Sequence, residues 1–366
     1  MTNKNMGLFG KLFKKSENEV SAPKGFHSLV VSELKNVTND SVYVAFEVPT
    51  DLKSAYSFIP GQYVNLSVEI DGKQERRSYS ICSGPTENLA VAIKKVDNGK
   101  VSRWATSELK VGDSVFVSHP EGNFTWSKEK GFVVAFVAGS GITPVLSIAK
   151  HLENEIGDLR LFYGNKSEDK AMFLSDLVQL KNTKTVCSFS EITKEGQLSG
   201  RLNKDKVSEI IKSDLNLLKA DAYYLCGPEA LIKDAKEVLE LFGVAKNKIH
   251  YELFTTPVLM KSEETTIATT MFEGVSNVSV ILDQERIELK IDPAKMNVLQ
   301  SLNDEGYDPP YSCRGGVCCS CKAKVLEGKA MMKLNYSLTE EEVNAGYILT
   351  CQAYPASENV VISYDA

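Results

Sequence analysis

The chain has 366 residues, of which 43% are hydrophobic and 25% are charged, and its formal net charge is −6. This length has room for two or three domains, and the acidic balance argues against nucleic acid as a partner. We recognise no signal peptide and no apolar run of membrane-spanning length, so we expect a cytoplasmic protein without a transmembrane segment. A reducing cytoplasm also suits the eight cysteines.

Residues 1–22 are predicted to form a flexible polar tail. The tail contains a short basic segment, residues 6–15, which could lie on an anionic membrane surface as an amphipathic turn. This segment is short and includes two glycines, which makes a weak helix. The sequence therefore favours a disordered tail over peripheral membrane contact.

Residues 24–127 show short β-type runs that are separated by turn residues, without a long helical periodicity. Such regular spacing predicts an antiparallel β-barrel or sandwich. The predicted strands are 29–34, 42–48, 63–70, 75–81 and 89–96, and one short helix is predicted at 101–109.

Two motifs stand out in this first domain. The fourth predicted strand ends in Arg77-Ser78-Tyr79-Ser80, and Gly99-Lys100-Val101-Ser102 opens the helix. Taken alone, the first motif could equally be an arginine and a tyrosine on the surface of a strand. The second motif predicts a helix N-terminus in the same domain, and helix N-termini suit phosphate. Its presence therefore favours a functional interpretation of the first motif.

Residues 131–254 alternate between strand and helix patterns, which predicts an α/β domain with a parallel sheet and helices on both faces. The predicted strands are 132–138, 159–163, 222–225 and 249–253, and the predicted helices are 143–152, 171–180 and 229–242.

Two short motifs follow strands of this second domain. The turn 139–144 reads Gly-Ser-Gly-Ile-Thr-Pro, and Cys226-Gly227-Pro228 comes after a later strand. The turn does not match the G-x-G-x-x-G pattern of dinucleotide sites. It indicates nucleotide binding because it lies between a buried strand and a helix. A lone cysteine after a strand is most often a small buried residue, but the glycine and proline that follow favour a functional role.

Residues 255–265 are polar and unpatterned, which predicts a linker, and 266–366 are predicted to form a third domain. A hairpin at 278–282 and 285–291 precedes a helix at 296–305 and then a loop rich in cysteine. From residue 276 onward, the sequence contains thirteen acidic residues and eight basic ones. The third domain could therefore present a mildly acidic surface to a basic partner, or simply a solvated one.

The cysteine loop has the spacing C-x4-C-x2-C in Cys313, Cys318 and Cys321, and Cys351 follows thirty residues later. This is the plant-type ligand spacing of a [2Fe-2S] cluster. Structural zinc usually takes two short pairs of ligands, and only one such pair is present. A disulfide is the other alternative, but nothing suggests an oxidising compartment. Cys319 falls outside the register and is predicted to be a non-ligand.

Taken together, these motifs resemble the ferredoxin–NADP reductase family, in the form that carries a C-terminal ferredoxin domain of the α+β, β-grasp fold. The resemblance covers residues 24–366. It implies FAD in the barrel, with Arg77 at the flavin pyrophosphate, Tyr79 on the isoalloxazine face and Ser80 near flavin N5. Ser78 belongs to the same motif, and the resemblance places Gly99, Val101 and Ser102 at the phosphates.

In the second domain the resemblance implies that NAD(P)H binds at the turn through Gly139, Gly141, Thr143 and Pro144. It also places Cys226, with Gly227 and Pro228, beside the nicotinamide ring, and Glu252 and Phe254 close to the flavin. Ser80, Cys226 and Glu252 are then the candidate catalytic residues. NADH and NADPH both stay open, because no arginine accompanies Ser188 and only Lys166 or Lys194 could contact a 2′-phosphate.

The resemblance implies an NAD(P)H-dependent oxidoreductase that passes electrons to the oxygenase component of a multicomponent monooxygenase. No Glu-x-x-His pattern of a di-iron site is present, so oxygen activation is expected in a separate protein. We expect that protein to contact Arg314, Gly315 and Gly316, where the cluster of a ferredoxin lies closest to solvent. The alternatives are a reductase for a fatty-acid desaturase or another hydroxylase, a stand-alone oxidoreductase, and a redox-sensing module.

Overall fold

The computed structural model describes residues 22–128, 130–154, 156–191, 197–255 and 272–366. The basic segment 6–15, nearly all of the predicted linker 255–265, and Lys194 lie outside the described residues. Within the described ranges, no helix is both long and apolar enough to cross a membrane.

The first unit is a six-stranded antiparallel sheet with one helix. Its strands pair in the order β4-β3-β6-β1-β2-β5. A bridge between Ile81 and Val91 brings the end of β4 against β5, so the two edges of the sheet approach each other as in a barrel. Its elements are Phe26–Thr38 (β1), Ser41–Glu47 (β2), Tyr63–Ile70 (β3), Lys73–Ser80 (β4), Ala90–Lys94 (β5), Lys100–Ser107 (α1) and Ser114–Ser118 (β6).

The second unit is a parallel sheet with helices, in the strand order β10-β9-β8-β7-β11-β12. Its central strand, β7, carries a continuous apolar run that is fully buried from Val133 to Val137, as strands covered on both faces require. The elements are Lys130–Ala138 (β7), Ile142–Asn154 (α2), Ile156–Asn165 (β8), Leu174–Gln179 (α3), Thr183–Phe189 (β9), Leu198–Ser199 (β10), Lys204–Ser213 (α4), Ala222–Cys226 (β11), Glu229–Leu241 (α5) and Ile249–Glu252 (β12).

Several elements of the second unit differ from the sequence predictions, and the two-residue strand β10 was not predicted. The helix predicted at 171–180 begins only at Leu174, because Phe173 adopts a left-handed conformation with φ 58° and stops the helix from extending toward Ala171. Strand β9 was not predicted, since threonine, lysine and serine make up most of it and Phe189 is its one fully buried apolar residue. Helix α4 was also missed; it begins after Asn203, whose side chain accepts a hydrogen bond from Lys206 N–H.

The third unit is a mixed five-stranded sheet, β14-β13-β19-β15-β17, with a separate two-stranded ribbon, β16-β18. The predicted helix at 296–305 spans Val298–Asp304, because the Asn297 side chain caps it by accepting from Gln300 N–H. The elements are Ser276–Leu282 (β13), Glu285–Ile291 (β14), Val298–Asp304 (α6), Lys322–Glu327 (β15), Ala330–Met332 (β16), Glu340–Asn344 (α7), Tyr347–Leu349 (β17), Ala353–Pro355 (β18) and Asn359–Ser363 (β19).

The three units pack against one another. Phe124 and Trp126, which follow the first sheet, share a buried core with β7 and α2 of the second unit. Val317 of the cysteine loop and Tyr336 pack against the apolar cluster on the other side of the second sheet. The cysteine loop therefore lies where all three units meet.

Candidate functional site

The end of strand β4 presents the first predicted site residues. Arg77 is exposed and Tyr79 is half-buried, and strand alternation places both on one face of β4. Burial raises the pKa of the Tyr79 hydroxyl above its usual range, so this group stays neutral. Ser80, at the end of the strand, is buried.

Cations and a helix N-terminus gather beside Arg77. The Glu75 carboxylate accepts a hydrogen bond from Lys100 Nζ and lies 3.6 Å from an Arg77 nitrogen, so Glu75 holds both cations in place. The hydrogen bond from Lys100 lowers the pKa of Glu75. Gly99 caps α1, and a Cβ there would lie 2.5 Å from the Ser102 hydroxyl oxygen.

This arrangement fits the pyrophosphate of a flavin dinucleotide. Two cations, a tight glycine turn and the N–H groups of a helix N-terminus are the groups that bind phosphate. Lys100 is part of the sequence motif, but we had not predicted it as a contact. A basic residue at the first position of a helix that begins with glycine was the signal that could have identified it.

The glycine turn and the Cys226 motif meet in the second unit. Gly141 lies so close to the end of β11 that a Cβ would be 2.3 Å from the Cys226 carbonyl oxygen and 2.8 Å from Gly227 N. Thr143 and Pro144 are buried in the first turn of α2, and the Thr143 hydroxyl donates to the Ser140 carbonyl at 3.0 Å. The structure thus brings the glycine turn into direct contact with the Cys226 motif.

The three candidate catalytic residues converge between the first two units. Cys226 and Glu252 are register partners at the ends of the parallel strands β11 and β12. The Ser80 hydroxyl, from the first unit, donates to the Glu252 carboxylate at 3.0 Å. Burial raises the pKa of Glu252 to about 7 and that of the Cys226 thiol well above its usual range. Phe254 lies two residues further on and is 42% exposed.

The four cysteines of the predicted cluster form two pairs. The sulfur atoms of Cys313 and Cys318 are 3.0 Å apart, and Cys321 shares a hydrogen bond with Cys351. The hydrogen bond from Cys318 lowers the pKa of Cys313 to about 6, and Gly315 N–H also donates to the Cys313 sulfur at 3.4 Å. All eight cysteines are free thiols in the structure.

Two pairs of thiols suit two irons, each with two terminal thiolates, better than one zinc ion with four converging ligands. Among the described residues, no three His, Cys, Asp or Glu side chains converge as they would around a single metal ion. The backbone N–H groups that approach these sulfur atoms also suit the negative charge of a ligated cluster.

Cys319 faces away from both pairs. Its sulfur lies 3.5 Å from the Ser337 carbonyl oxygen and 4.0 Å from the Asn123 amide nitrogen. This environment agrees with a non-ligand, which stays a prediction.

The surface next to the cysteine loop bears on the predicted partner contact. Of the three residues around which the contact is predicted, Arg314 is exposed and Gly315 and Gly316 are buried, and the contact stays a prediction. Exposed charges of both signs lie near the loop, since Arg314 and Asp308 are both exposed. The Gln352 side chain donates to the Arg314 carbonyl, and the Gln352 carbonyl accepts from Lys333 N–H.

A cleft of about 240 Å³ lies between the three units. Its walls come from all three units, with Tyr63 and Phe124 from the first, Glu252 from the second and Cys318 from the third. The predicted flavin contact Glu252 and a predicted cluster ligand therefore line one cleft.

Models of three protein families match consecutive parts of the chain. They are an oxidoreductase FAD-binding domain at residues 28–126, an oxidoreductase NAD-binding domain at 136–237 and a 2Fe-2S iron-sulfur cluster binding domain at 280–356. These matches and the paired thiols define a flavin- and iron–sulfur-dependent oxidoreductase.

The chain is 36% identical over 354 residues to one of the subunits of 1,2-phenylacetyl-CoA epoxidase from Escherichia coli K12, covering 93% of this chain and 98% of that protein. It is 30% identical over 361 residues to the ferredoxin reductase component of 3-ketosteroid-9-alpha-monooxygenase from Rhodococcus rhodochrous, with coverages of 94% and 99%. The solved structure of phthalate dioxygenase reductase shares the fold, with a TM-score of 0.56 at 22% identity over 93% of this chain and 98% of that one.

The chain belongs to the ferredoxin–NADP reductase superfamily, in the family of electron-transfer reductases that includes this phenylacetyl-CoA epoxidase subunit. The predicted fold class, the family and the cofactor set of FAD, a nicotinamide nucleotide and a [2Fe-2S] cluster are thereby confirmed.

Proposed function

We propose that this reductase carries electrons from NAD(P)H through FAD and the [2Fe-2S] cluster to a separate oxygenase, phenylacetyl-CoA epoxidase. The packing of the cysteine loop against the face of β4 opposite Arg77 and Tyr79 is the observation that supports this order of cofactors, because it puts the two sites on either side of one strand. A flavin takes two electrons as a hydride and releases them singly, which is what a [2Fe-2S] cluster can accept.

The residues of the chain would bind the cofactors, orient them and hold a proton beside the flavin ring. Arg77 and Lys100 would neutralise the flavin phosphates, and Tyr79 would cover the flavin ring. Glu252 would hold a proton below about pH 7 and accept the Ser80 hydrogen bond beside the ring. The further contacts that we propose are Gly99, Val101, Ser102 and Phe254 for the flavin and Gly139, Gly141, Thr143, Pro144, Cys226, Gly227 and Pro228 for the nucleotide. The hydroxyl of Ser78, which belongs to the same sequence motif as Arg77, bonds instead to Ser312 of the cysteine loop.

The four thiols Cys313, Cys318, Cys321 and Cys351 would ligate the cluster. Lys166 forms an ion pair with Glu191 at 3.4 Å, so a 2′-phosphate placed there would meet a carboxylate as well as a cation. NADH and NADPH are both retained as donors. We place the protein in the cytoplasm, which is supported by its eight free thiols.

The choice of acceptor is supported by the 36% identity to the epoxidase subunit over nearly the full length of both chains. The steroid monooxygenase component, 30% identical, supports a second candidate, the reductase of another hydroxylase. In either case the exposed, basic Arg314 beside the predicted ligand Cys313 suits an acidic patch on the acceptor.

Reconstitution tests the acceptor. Purified reductase, NAD(P)H and the catalytic subunits of a phenylacetyl-CoA epoxidase should consume phenylacetyl-CoA, whereas the reductase alone should not oxygenate it. Turnover with a steroid hydroxylase or a desaturase, but not with the epoxidase, would refute the assignment of acceptor while leaving the reductase activity in place.

A charge reversal tests the contact. Arg314→Glu should lower epoxidase-dependent turnover while reduction of a dye survives. Arg286→Glu is the matched control, because Arg286 is an exposed arginine of the same domain that pairs with Glu288 on β14. Equal effects of the two reversals would show that Arg314 has no special place in the contact.

A further inference from the structure

The hairpin of strands β3 and β4 has two different polar faces. On β4, Arg77 and Tyr79 lie on the face that we assign to the flavin, and Arg76 and Ser78 alternate with them onto the opposite face. The register pairs Ser78 with Asn65 of β3 on that opposite face. The third domain packs there.

Polar side chains of this face bond directly to the cysteine loop. Each bond ends one residue from a predicted ligand, since Ser312 precedes Cys313 and the pair 319–320 lies between Cys318 and Cys321. The bonds are Asn65 Nδ2 to Ser320 Oγ at 3.0 Å, Ser78 Oγ to Ser312 Oγ at 2.8 Å and Cys319 N–H to Tyr63 Oη at 3.1 Å.

Glu121 closes this network from the segment after β6. Its carboxylate accepts from Ser320 Oγ at 3.0 Å, from Tyr63 Oη at 3.2 Å and from Asn65 Nδ2 at 3.5 Å. Three neutral donors from two domains thus share one carboxylate. Moving the loop off the hairpin would leave several buried polar groups without partners, which is costly.

Arg76 makes a second connection at the other end of the same face. Its side chain is only 4% exposed, and its guanidinium donates to the Asp308 carboxylate at 2.6 Å. The guanidinium also lies 4.8 Å from the centre of the Tyr311 ring, two residues before Cys313. A buried charge needs its partner, so Arg76 favours the docked position of the third domain.

We propose that Tyr63, Asn65, Arg76 and Glu121 are positioning residues that hold the cysteine loop at one fixed place on the β3–β4 hairpin. Electrons then cross from flavin to cluster through the thickness of a single strand, without a swing of the third domain. The inference rests on the proposed order of cofactors. It opposes the usual expectation that domains joined by a polar interface move relative to each other.

The test uses the full-length protein with its cofactors and no oxygenase. Asn65→Leu, Arg76→Met and the double variant are compared with Ser67→Ala, a control whose hydroxyl lies on β3 but bonds to Gln74 within the first domain. After rapid mixing with NAD(P)H, the bleaching of the flavin band reports hydride transfer, and the loss of the cluster band reports the next step.

We expect hydride transfer within about twofold of the wild type in every variant, and cluster reduction slowed about tenfold or more in the double variant, as for other losses of positioning. Arg76→Lys, which keeps a cation beside Asp308, should restore part of the rate. Asp308→Asn removes the same ion pair by changing its exposed partner in the third domain. It therefore tests the connection without a substitution on β4.

Three results would overturn the proposal. The first is an unchanged cluster phase in a double variant with full iron and flavin content. The second is an equal slowing of both phases, because the residues would then act on the flavin site. The third is loss of iron from Asn65→Leu but not from Ser67→Ala, since Asn65 would then serve cluster assembly. A wild type that NAD(P)H does not reduce would instead refute the proposed function.

Discussion

Replacement of Gly141 by alanine is the sharpest perturbation of the proposed nucleotide site. A Cβ on Gly141 would lie 2.3 Å from the Cys226 carbonyl oxygen, whereas ordinary contact begins at 3.4 Å. The start of α2 and the end of β11 must therefore separate by about 1.1 Å. Both sides of this contact are backbone, so no side chain can rotate to relieve it.

The separation would displace Cys226 from the proposed nicotinamide position. A misplacement of about 1 Å can cost about 100-fold in rate, so we expect Gly141→Ala to slow flavin reduction by about 10- to 100-fold. Gly243→Asn is the control, because Gly243 follows α5 in the same domain, has open space around its Cβ position and has a positive φ of +85°, a region that asparagine tolerates. Its rate should stay within about threefold of the wild type.

Stopped-flow bleaching of the flavin band, over a range of NADH and NADPH concentrations, measures the effect. Flavin and iron content must match the wild type, so that misfolding is excluded. If Gly141→Ala reduces its flavin as fast as Gly243→Asn at saturating nucleotide, the close contact with Cys226 does not position the reacting ring, and the reasoning is refuted.

Three further predictions concern single side chains. Cys318→Ser should lose iron while the flavin still accepts hydride, and Cys319→Ser should keep its iron; the opposite result in iron analysis would show that the register is wrong. Cys226→Ala should slow hydride transfer more than it weakens nucleotide binding, and an unchanged limiting rate would make Cys226 a packing residue. Because burial raises the pKa of Glu252 to about 7, this carboxyl is neutral below that pH and negative above it. The rate of flavin reduction should therefore fall as the pH rises through about 7, and Glu252→Gln should keep the low-pH rate; a Gln variant with the wild-type pH profile would contradict the assignment.

Local motifs were predictable from the sequence because their chemistry depends on spacing within a few residues. The apolar run of β7 could only be a buried strand, and C-x4-C-x2-C has one dominant ligand chemistry. The tight turn at Gly99 was likewise readable beside the helix that it opens. Elements without such a pattern were missed, among them β9 and α4, whose polar residues hide the apolar ones that pack inward.

The electrostatic surroundings of the cluster were not predictable from composition. The third domain is acidic as a whole, but the exposed residue of the cysteine loop between Cys313 and Cys318 is the cation Arg314. The net charge of a domain does not indicate which of its charged side chains lie near a site. The burial of Gly315 and Gly316 depends in the same way on packing, since a Cβ on Gly316 would lie 3.0 Å from the distant Leu334 carbonyl oxygen.

By itself, the sequence determined the order of the FAD-binding, NAD-binding and 2Fe-2S domains and the cofactor set. Only the tertiary structure decided that Ser80 meets Glu252 and that Asn65 meets Ser320, across 172 and 255 residues of chain. Spacing along a chain constrains neighbours within a turn or a strand, whereas contacts between domains depend on how whole surfaces fit. The residues that join the flavin site to the cluster make contacts between domains. They are serines, asparagines and arginines, and no local sequence motif distinguishes them from others of their type.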